Sequence, residues 1–394
     1  MLETQTLAEA PIDRIPDVRG PSLQFAYGFD DVALVPDRET LDPALCDVSW
    51  RLGDLRFDLP ILAAAMDGVV DPGFAAEFAG QGGLAVLNLE GIHGRYEDVS
   101  ALYERIAGAT AEEAVTLLPE LYRKPVDGDL VRRSVTKVKE RGAVLAVSAT
   151  PANAAWLLPI AVDAGADVAV IQSTVTSTSH VSRSGEVFDI AEFCAGSSVP
   201  VIVGNTAAYR PAIELMRAGA SGILVGIGPG AECTSREVLG IGLPQISATM
   251  EVTQARDDYQ RESGRRVSVI TDGGMRVSGD MIKALAAGAD ALMLGAPLAL
   301  AAESPGRGFN WGMASFHGSL PRGTRIRVGT TASLRQILHG PSEVNNGTQN
   351  ISGAIRTAMG VLGARTIADL HHTRIVHAPA IKTEGKMYQH AGRL

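Results

Sequence analysis

The chain contains 394 residues, of which 46% are hydrophobic and 20% are charged, and its formal net charge is −9 at pH 7. This composition is typical of a globular enzyme with a large core, and it excludes a disordered or fibrous protein. The negative charge argues against a protein that binds nucleic acid independently of sequence, because phosphate contacts need clustered Lys and Arg.

The first twenty residues, MLETQTLAEAPIDRIPDVRG, are acidic and contain proline, which is the reverse of a signal peptide. No run of 18 apolar residues appears, so the sequence predicts no membrane span. The three cysteines, Cys46, Cys194 and Cys233, are too few and too scattered for a disulfide framework or a zinc site. We therefore expect a cytoplasmic enzyme without a membrane partner, with a flexible tail at 1–20 and one catalytic domain at 21–394.

Eight short apolar segments follow one another along the chain. Each is bounded by glycine or polar residues, which is typical of a parallel strand buried on both faces. Three of them follow the tripeptide Ala-Gly-Ala and so resemble one another. The predicted strands are PILAAAM (60–66), LAVLN (84–88), AVLAVS (143–148), AGADVAVIQ (164–172), VPVIVGN (199–205), AGASGILVG (218–226), VSVIT (267–271) and AGADALMLG (287–295).

Helix-compatible stretches separate these strands, such as 151–165 and 209–219. Alternating strand–helix units repeated eight times predict a (β/α)8 TIM barrel, with its active site where the strands end. A doubly wound sheet is the alternative, since Gly226, Gly228 and Ala231 fit the dinucleotide fingerprint G-x-G-x-x-A. That match is weak because it falls at the sixth strand, contains a proline and lacks the usual acidic residue.

Two regions depart from the repeat. Residues 89–140 carry many charges and predict a helical elaboration after the second strand. Residues 304–350 show little periodicity, and a long irregular segment in a compact domain is usually functional or disordered. Its position after the eighth strand favours a flap over the active site.

Candidate chemistry lies at the predicted strand exits. Cys233 belongs to the glycine-rich loop GIGPGAECTSR, where a thiol close to bound ligand could act as a nucleophile; a buried structural cysteine is the alternative. The exits TDGGM and GAPLA offer backbone N–H groups for a phosphate. Asp272 could accept hydrogen bonds from ribose hydroxyls, although an Asp-Gly turn explains it equally well.

The loop GIGPGAECTSREVLGIGLPQ (226–245) resembles the active-site loop of IMP dehydrogenases and GMP reductases. FDDVALVP (29–36), AAAMDGVVD (63–71) and WGMAS (311–315) resemble other signatures of that family, and VITDGGMRVSGDMIKALAAGADALMLG (269–295) resembles its nucleotide-binding stretch. The resemblance runs from about residue 25 to the C-terminus. Residues 89–140 are too few to hold the usual pair of CBS domains, so the chain resembles the short branch without them.

The resemblance implies that Cys233 attacks C2 of the purine ring and that the adduct passes a hydride to NAD. The resulting thioimidate is labile enough to hydrolyse. Ser235 takes a catalytic position that is usually Thr, with helix N-capping as the alternative role. The implied reaction is oxidation of IMP to XMP in guanine nucleotide (GMP) biosynthesis.

The resemblance also implies the ligand contacts. The substrate-binding residues would be Met66, Asn205, Asp272, Gly274, Gly295, Ala296, Gly312 and Met313. The residues on the NAD side would be Gln172, Ser173 and Gly226. A potassium ion would be bound by carbonyls of Gly228, Gly230 and Cys233, with Glu384, Gly385 and Lys386 contributed by a neighbouring subunit, which implies a homotetramer.

Several positions depart from the family pattern and bear on ligand affinity. Alanines stand where the family often has serines near the nucleotide, and Gln172 stands where an Asp usually contacts the nicotinamide side. Thr330 stands where the family commonly has a Glu or Gln that recognises the purine base. These alanines are Ala64, Ala231 and Ala296, and Asn310 and Trp311 replace the Tyr-Arg that usually precedes Gly-Met.

The two branches of the family differ after hydride transfer. The dehydrogenase activates water with a flap arginine, whereas the reductase uses a carboxylic acid near the same segment. Residues 304–342 contain no Asp or Glu, and among their five arginines Arg322 best matches the flap base. The sequence therefore favours IMP oxidation, with GMP reduction by NADPH and a weak purine-nucleotide-binding regulator as alternatives.

Overall fold

Fourteen strands are found in the computed structural model, which describes residues 23–182, 187–231, 233–311 and 325–379. The strands are β1 (Val32–Val35), β2 (Trp50–Leu52), β3 (Leu55–Phe57), β4 (Ile61–Ala63), β5 (Leu84–Asn88), β6 (Ala146–Ala149), β7 (Val168–Gln172), β8 (Val201–Thr206), β9 (Gly222–Val225), β10 (Ser268–Asp272), β11 (Ala291–Leu294), β12 (Phe309–Trp311), β13 (Arg325–Arg327) and β14 (Arg374–His377).

Helices separate most of the central strands. They are α1 (Pro72–Gly80), α2 (Ser100–Gly108), α3 (Ala111–Tyr122), α4 (Gly128–Lys139), α5 (Pro151–Asp163), α6 (Ile190–Gly196), α7 (Tyr209–Arg217), α8 (Ser235–Leu239), α9 (Gln245–Ser263), α10 (Ser278–Ala286), α11 (Ala296–Ala299), α12 (Leu334–His339), α13 (Ile351–Val361) and α14 (Ile367–Leu370). None of the helices within the described ranges is long and apolar enough to cross a membrane.

Strands β4 to β11 form a closed parallel barrel. The ring closes where β11 pairs with β4, with Leu292 opposite Ile61, and every neighbouring pair is parallel. These strands are the eight apolar segments predicted from the sequence, so the TIM barrel is confirmed. The alternative of an open doubly wound sheet is wrong, because no edge remains between the first and last strands of the barrel.

The barrel strands are apolar on both faces because each face is buried. Inward side chains such as Leu62, Ile202 and Leu224 fill the barrel interior, and outward side chains pack against the surrounding helices. At the end where the strands begin, Trp50 of β2 stacks on Phe57 of β3, with ring centroids 5.0 Å apart. These two rings belong to the same cluster as the interior residues, so the β2–β3 hairpin covers that end of the barrel.

The segment between β5 and β6 forms helices α2, α3 and α4, which we call the helical insertion (Ser100–Lys139). Thr110 caps α3 and Glu113 returns the hydrogen bond in a capping box, so the helix start is encoded locally. A separate apolar cluster, which includes Leu117 and Leu121, joins this insertion to Trp311 of β12. The β12–β13 hairpin therefore packs on the insertion.

The region after the eighth barrel strand contains regular structure as well as irregular chain. Strands β12 and β13 pair in antiparallel fashion, and Ser333 caps helix α12. Near the chain ends, β1 pairs with β14 in a two-stranded antiparallel sheet, with Val32 opposite His377.

Candidate active site

A cavity of about 330 Å³ lies at the end of the barrel where the strands stop. The exits of β4, β7, β8, β9, β10 and β11 all contribute residues to its wall. This is the position at which active sites are found in TIM barrels, because the βα loops of separate strands converge there. The predicted site residues in the described ranges lie on this wall.

Three polar side chains from separate strands form one cluster in the cavity. The Asn205 amide donates to Asp272 Oδ2 at 2.7 Å, and the Gln172 amide donates to the same oxygen at 3.2 Å and to Asn205 Oδ1 at 3.2 Å. Burial raises the pKa of Asp272 to about 6, and the two amide hydrogen bonds oppose that rise. The cluster therefore presents a partly desolvated carboxyl to any ligand in the cavity.

Gln245 anchors the cysteine loop to this cluster. Its amide donates to the carbonyl of Val225 at 2.7 Å and to the carbonyl of Asp272 at 2.8 Å, so it ties the exit of β9 to the exit of β10. Gly226 has φ +143°, and a Cβ there would lie 2.5 Å from the Asp272 carbonyl oxygen. Only glycine permits this close approach. The sequence predicts no role for Gln245, because its only local signal is a glutamine after Gly-Leu-Pro.

Cys233 is exposed and lines the cavity, so the alternative of a buried structural cysteine is wrong. Its Sγ donates to Ser235 Oγ at 3.3 Å. Ser235 is the first residue of α8, and Thr234 occupies the N-cap position without a side-chain hydrogen bond, so N-capping does not account for Ser235. Cys46 is buried, and burial raises the pKa of Cys194 to about 11.

The glycine-rich exits of β10 and β11 pack closely on their neighbours. Gly274 has φ +79°, and a Cβ there would lie 3.0 Å from Pro229 of the cysteine loop. A Cβ at Gly295 would lie 2.9 Å from the sulfur of Met66. Gly295 precedes α11, which begins at Ala296, and Gly274, Gly295 and Ala296 all line the cavity. Their backbone groups therefore lie at the cavity wall, where the sequence predicts a phosphate-binding site.

The proposed NAD-side residues also lie on the wall, but two are engaged within the protein. Ser173 Oγ donates to the Val175 carbonyl at 2.7 Å, so this hydroxyl shapes its own loop. Gln172 Nε2 is held by Asp272 and Asn205, while its Oε1 is buried and has no partner in the described part of the chain. Gln172 Oε1 could therefore accept a hydrogen bond from a hydroxyl or amide of a cofactor. This free acceptor is compatible with NAD binding at Gln172.

Three of the proposed potassium residues, Gly228, Gly230 and Cys233, lie in one short loop. The Cys233 amide donates to the Gly230 carbonyl at 3.0 Å, which leaves that oxygen one further lone pair for a cation. Gly228 has φ +74°. Carbonyl ligands of this kind differ from side-chain metal sites, and the described ranges contain no group of three or more His, Cys, Asp or Glu that could hold a metal. The loop fits a monovalent cation bound by backbone oxygens.

Several predicted residues lie outside the described residues. They are Gly312, Met313, Arg322, Glu384, Gly385 and Lys386. Two of the described flap arginines face the helical insertion instead of the cavity. Arg307 pairs with Glu104 at 3.2 Å, and Arg325 donates to backbone carbonyls in and just after the last turn of α2.

The departures at Asn310 and Trp311 are buried and do not line the cavity. Trp311 Nε1 donates to the Tyr122 hydroxyl at 2.9 Å, and Tyr122 in turn donates to Asp67. The sequence gives no signal for Tyr122 and Asp67, because nothing in the local pattern pairs residues of the helical insertion with the chain after the eighth strand. Thr330 is exposed and does not reach the cavity wall.

Comparison with known proteins gives the family. A model of the IMP dehydrogenase / GMP reductase domain matches residues 26–386. An uncharacterized oxidoreductase of Mycolicibacterium smegmatis is 40% identical, over 87% of this chain and 94% of the relative. The inosine-5'-monophosphate dehydrogenase of Methanocaldococcus jannaschii is 28% identical, over 72% of this chain and 73% of the relative.

A solved structure is similar over nearly the whole chain. It is the crystal structure of an IMP dehydrogenase/GMP reductase-like protein from Corynebacterium glutamicum, with a TM-score of 0.86 and 35% sequence identity. The match covers 91% of this chain and 96% of that chain. With an exposed thiol, a partly buried carboxyl and glycine-rich strand exits around one cavity, this chain belongs to the IMP dehydrogenase / GMP reductase family of oxidoreductases.

Proposed function

We propose that this protein is an IMP dehydrogenase that oxidises IMP to XMP with NAD through a covalent intermediate on Cys233. The observation that carries the proposal is that the exposed Cys233 thiol and the Asp272 cluster share one cavity. A nucleotide whose ribose contacts Asp272 can place its base beside the thiol.

The thiol performs the covalent step. Cys233 Sγ adds to C2 of the purine, the π electrons of the C2–N3 bond move to N3, and N3 takes a proton. The adduct then loses a hydride from C2, and water releases XMP and the free thiol from the thioimidate. NAD, when bound, supplies the acceptor for this hydride, with Gln172, Ser173 and Gly226 as its contacts. Ser235 holds the thiol through their 3.3 Å hydrogen bond.

The remaining wall residues bind and orient the nucleotide. The Asp272 carboxylate accepts hydrogen bonds from the ribose hydroxyls, and Asn205 and Gln172 fix the orientation of that carboxylate. The N–H groups of Gly274 and Gly295 face the phosphate, with Ala296 beside them. Met66 packs against the purine base of the nucleotide, and Gly312 and Met313 also contact that purine. This arrangement aligns C2 with the thiol, which is the main catalytic contribution of binding.

The charge of the cavity favours dehydrogenation over GMP reduction. Within the described ranges, Asp272 is the only carboxyl on the cavity wall, and residues 304–342 contain no acid in the sequence. Expulsion of ammonia from GMP needs a proton donor near the flap, whereas hydrolysis needs a base. We assign that base to Arg322.

The cation and the assembly complete the proposal. Potassium is held by carbonyls of Gly228, Gly230 and Cys233, together with Glu384, Gly385 and Lys386 of a neighbouring subunit, in a cytoplasmic homotetramer that serves guanine nucleotide biosynthesis.

A catalytically weak regulator that binds purine nucleotides is the second candidate. The observation that favours it is that the Ser173 hydroxyl and the Gln172 amide nitrogen are already bonded within the protein.

The deciding experiment supplies the purified protein with IMP plus NAD, or with GMP plus NADPH, each with and without potassium. We expect NADH and XMP to form only in the first mixture, and to form faster with potassium. Consumption of NADPH with release of ammonia from GMP would establish the reductase instead. Nucleotide binding without turnover in either mixture would establish the regulator.

A further inference from the structure

The β12–β13 hairpin directly flanks residues 312–324, which include the proposed base Arg322. Trp311 ends β12, Arg325 begins β13, and the two residues are opposite each other in the pairing register. Whatever fixes these two residues therefore fixes both ends of the intervening segment.

A chain of buried hydrogen bonds joins Trp311 to the cavity wall. Trp311 Nε1 donates to the Tyr122 hydroxyl at 2.9 Å, and the Tyr122 hydroxyl donates to Asp67 Oδ2. The backbone N–H of Ile92 also donates to Asp67 Oδ2 at 2.8 Å. Asp67 directly follows Met66, which lines the cavity. The chain thus runs from the proposed active site, through the helical insertion, to the hairpin.

All three side chains are buried, with exposed fractions of 3% for Asp67, 8% for Tyr122 and 1% for Trp311. A Cβ at Gly91 would lie 2.0 Å from Asp67 Oδ1, so the glycine makes room for the carboxyl. Apolar side chains of the same size would fill this space without the cost of burying a carboxyl and a hydroxyl. The polar chain is therefore suited to holding one relative position of the insertion and the hairpin.

Arg325 fixes the other side of the hairpin to the same insertion. Its guanidinium donates to the carbonyl of Ala109 at 2.6 Å and to the carbonyl of Ile106, at the C-terminal end of α2. The same group stacks on the ring of Phe309, 4.0 Å from the ring centroid. Both strands of the hairpin are thus held by the insertion, at Tyr122 and at the end of α2.

We propose that Tyr122 is a positioning residue that fixes the β12–β13 hairpin relative to the cavity wall at Met66 and Asp67, so that the hydrolytic half of the reaction depends on it. The inference rests on the proposed function, in which hydride transfer uses Cys233 and hydrolysis uses Arg322. It assigns the helical insertion a role in catalysis, as the platform that holds the flanks of the segment carrying the base.

The test is Tyr122→Phe, which removes the hydroxyl that links Asp67 to Trp311 while keeping the ring. Tyr96→Phe is the matched control, because the Tyr96 hydroxyl donates to the carbonyl of Leu121 in the insertion at 3.1 Å and is not part of the hydrogen-bond chain from Asp67 to Trp311. Trp311→Phe is the second variant and removes the donor at the other end of the chain.

We expect the first-turnover burst of NADH in Tyr122→Phe to stay within about twofold of the wild type, and steady-state turnover to fall about 10–100-fold, the loss typical of misplacing a catalytic group. The Cys233 adduct should accumulate, as seen by mass spectrometry. Trp311→Phe should act in the same direction, and Tyr96→Phe should turn over normally. Unchanged steady-state turnover in folded Tyr122→Phe, or an equal fall in burst and turnover, would overturn the proposal.

Hydrogen exchange separates this inference from the proposed function. If the wild type does not oxidise IMP, the proposed function fails. The positioning role of Tyr122 is then tested by amide exchange alone. Tyr122→Phe should speed exchange at Phe309–Trp311 and Arg325–Arg327 but leave the barrel strands unchanged. Exchange at the hairpin equal to that of Tyr96→Phe would show that Tyr122 does not hold it.

Discussion

The amide of Asn205, at the end of β8, donates a 2.7 Å hydrogen bond to the carboxyl of Asp272, at the end of β10. The two strands are not neighbours, since β9 lies between them in the barrel. The bond therefore spans the end of β9 and fixes the Asp272 carboxyl at the cavity wall.

The first prediction concerns pH. The pKa of Asp272 is raised to about 6 in the free protein, and ribose hydroxyls bind its ionised form. IMP affinity should therefore rise with pH through 6 and weaken about tenfold at pH 5, one unit below that pKa. Titration calorimetry of IMP from pH 5 to 8 measures this.

Asp272→Asn is the control for the pH effect, because the phosphate of IMP also titrates near pH 6. The variant should bind IMP more weakly at pH 8 and retain only the phosphate's pH dependence. If the wild type and Asp272→Asn show the same pH profile, Asp272 does not contact the nucleotide.

The second prediction concerns the thiol. Cys233 is exposed in the cavity, whereas Cys46 is buried and the pKa of Cys194 is raised to about 11. Bound IMP should protect Cys233 from alkylation more than it protects Cys46 or Cys194, as measured by peptide mass spectrometry. Cys233→Ala should abolish turnover and leave the fold and IMP binding intact. Equal alkylation of Cys233 with and without IMP argues against its assignment as the nucleophile.

The third prediction concerns the monovalent cation. Replacing potassium with sodium or lithium should slow turnover, because a site built from the carbonyls of Gly228, Gly230 and Cys233, as proposed, would favour one ion size. Deletion of 380–394 should mimic that loss, since it removes the segment proposed to complete the site. Steady-state rates in matched chloride salts measure the effect. Indifference to both changes removes the cation from the mechanism.

The fourth prediction concerns the base. Arg322→Ala should spare hydride transfer and slow hydrolysis of the thioimidate by about 10²–10⁴-fold, the usual contribution of a positioned acid or base. A burst of NADH followed by a stalled adduct on Cys233 is the expected result in rapid-mixing and mass-spectrometry measurements. Arg325→Ala should do less, because Arg325 donates to backbone carbonyls at the C-terminal end of α2 and does not line the cavity.

Arg335→Ala, a change at an exposed residue of α12, is the matched control for loss of one positive charge near the flap. It should leave both the burst and the steady state unchanged. Normal turnover of Arg322→Ala would mean that another group activates water.

The barrel was predictable because its strands are continuous apolar runs, and a parallel strand buried on both faces leaves that trace in the sequence. Because the strand exits of a barrel converge, Asn205, Asp272 and Cys233 could be expected at one site, and all three line one cavity. The contact between Tyr122 and Trp311 was not predictable, because a hydrogen bond across 189 residues joins two segments that lie outside the repeat. Gln245 was missed because its bonds go to backbone carbonyls, which have no sequence signature.

The pairing of β1 with β14 joins the two ends of the barrel domain. Val32 lies opposite His377, and Val35 lies opposite Arg374, so the first and last strands of the described part of the chain run side by side. In the folded protein the path of the chain is therefore nearly circular. A short linker across this junction, with new ends opened in an exposed loop of the helical insertion, should give a circular permutant that keeps the barrel.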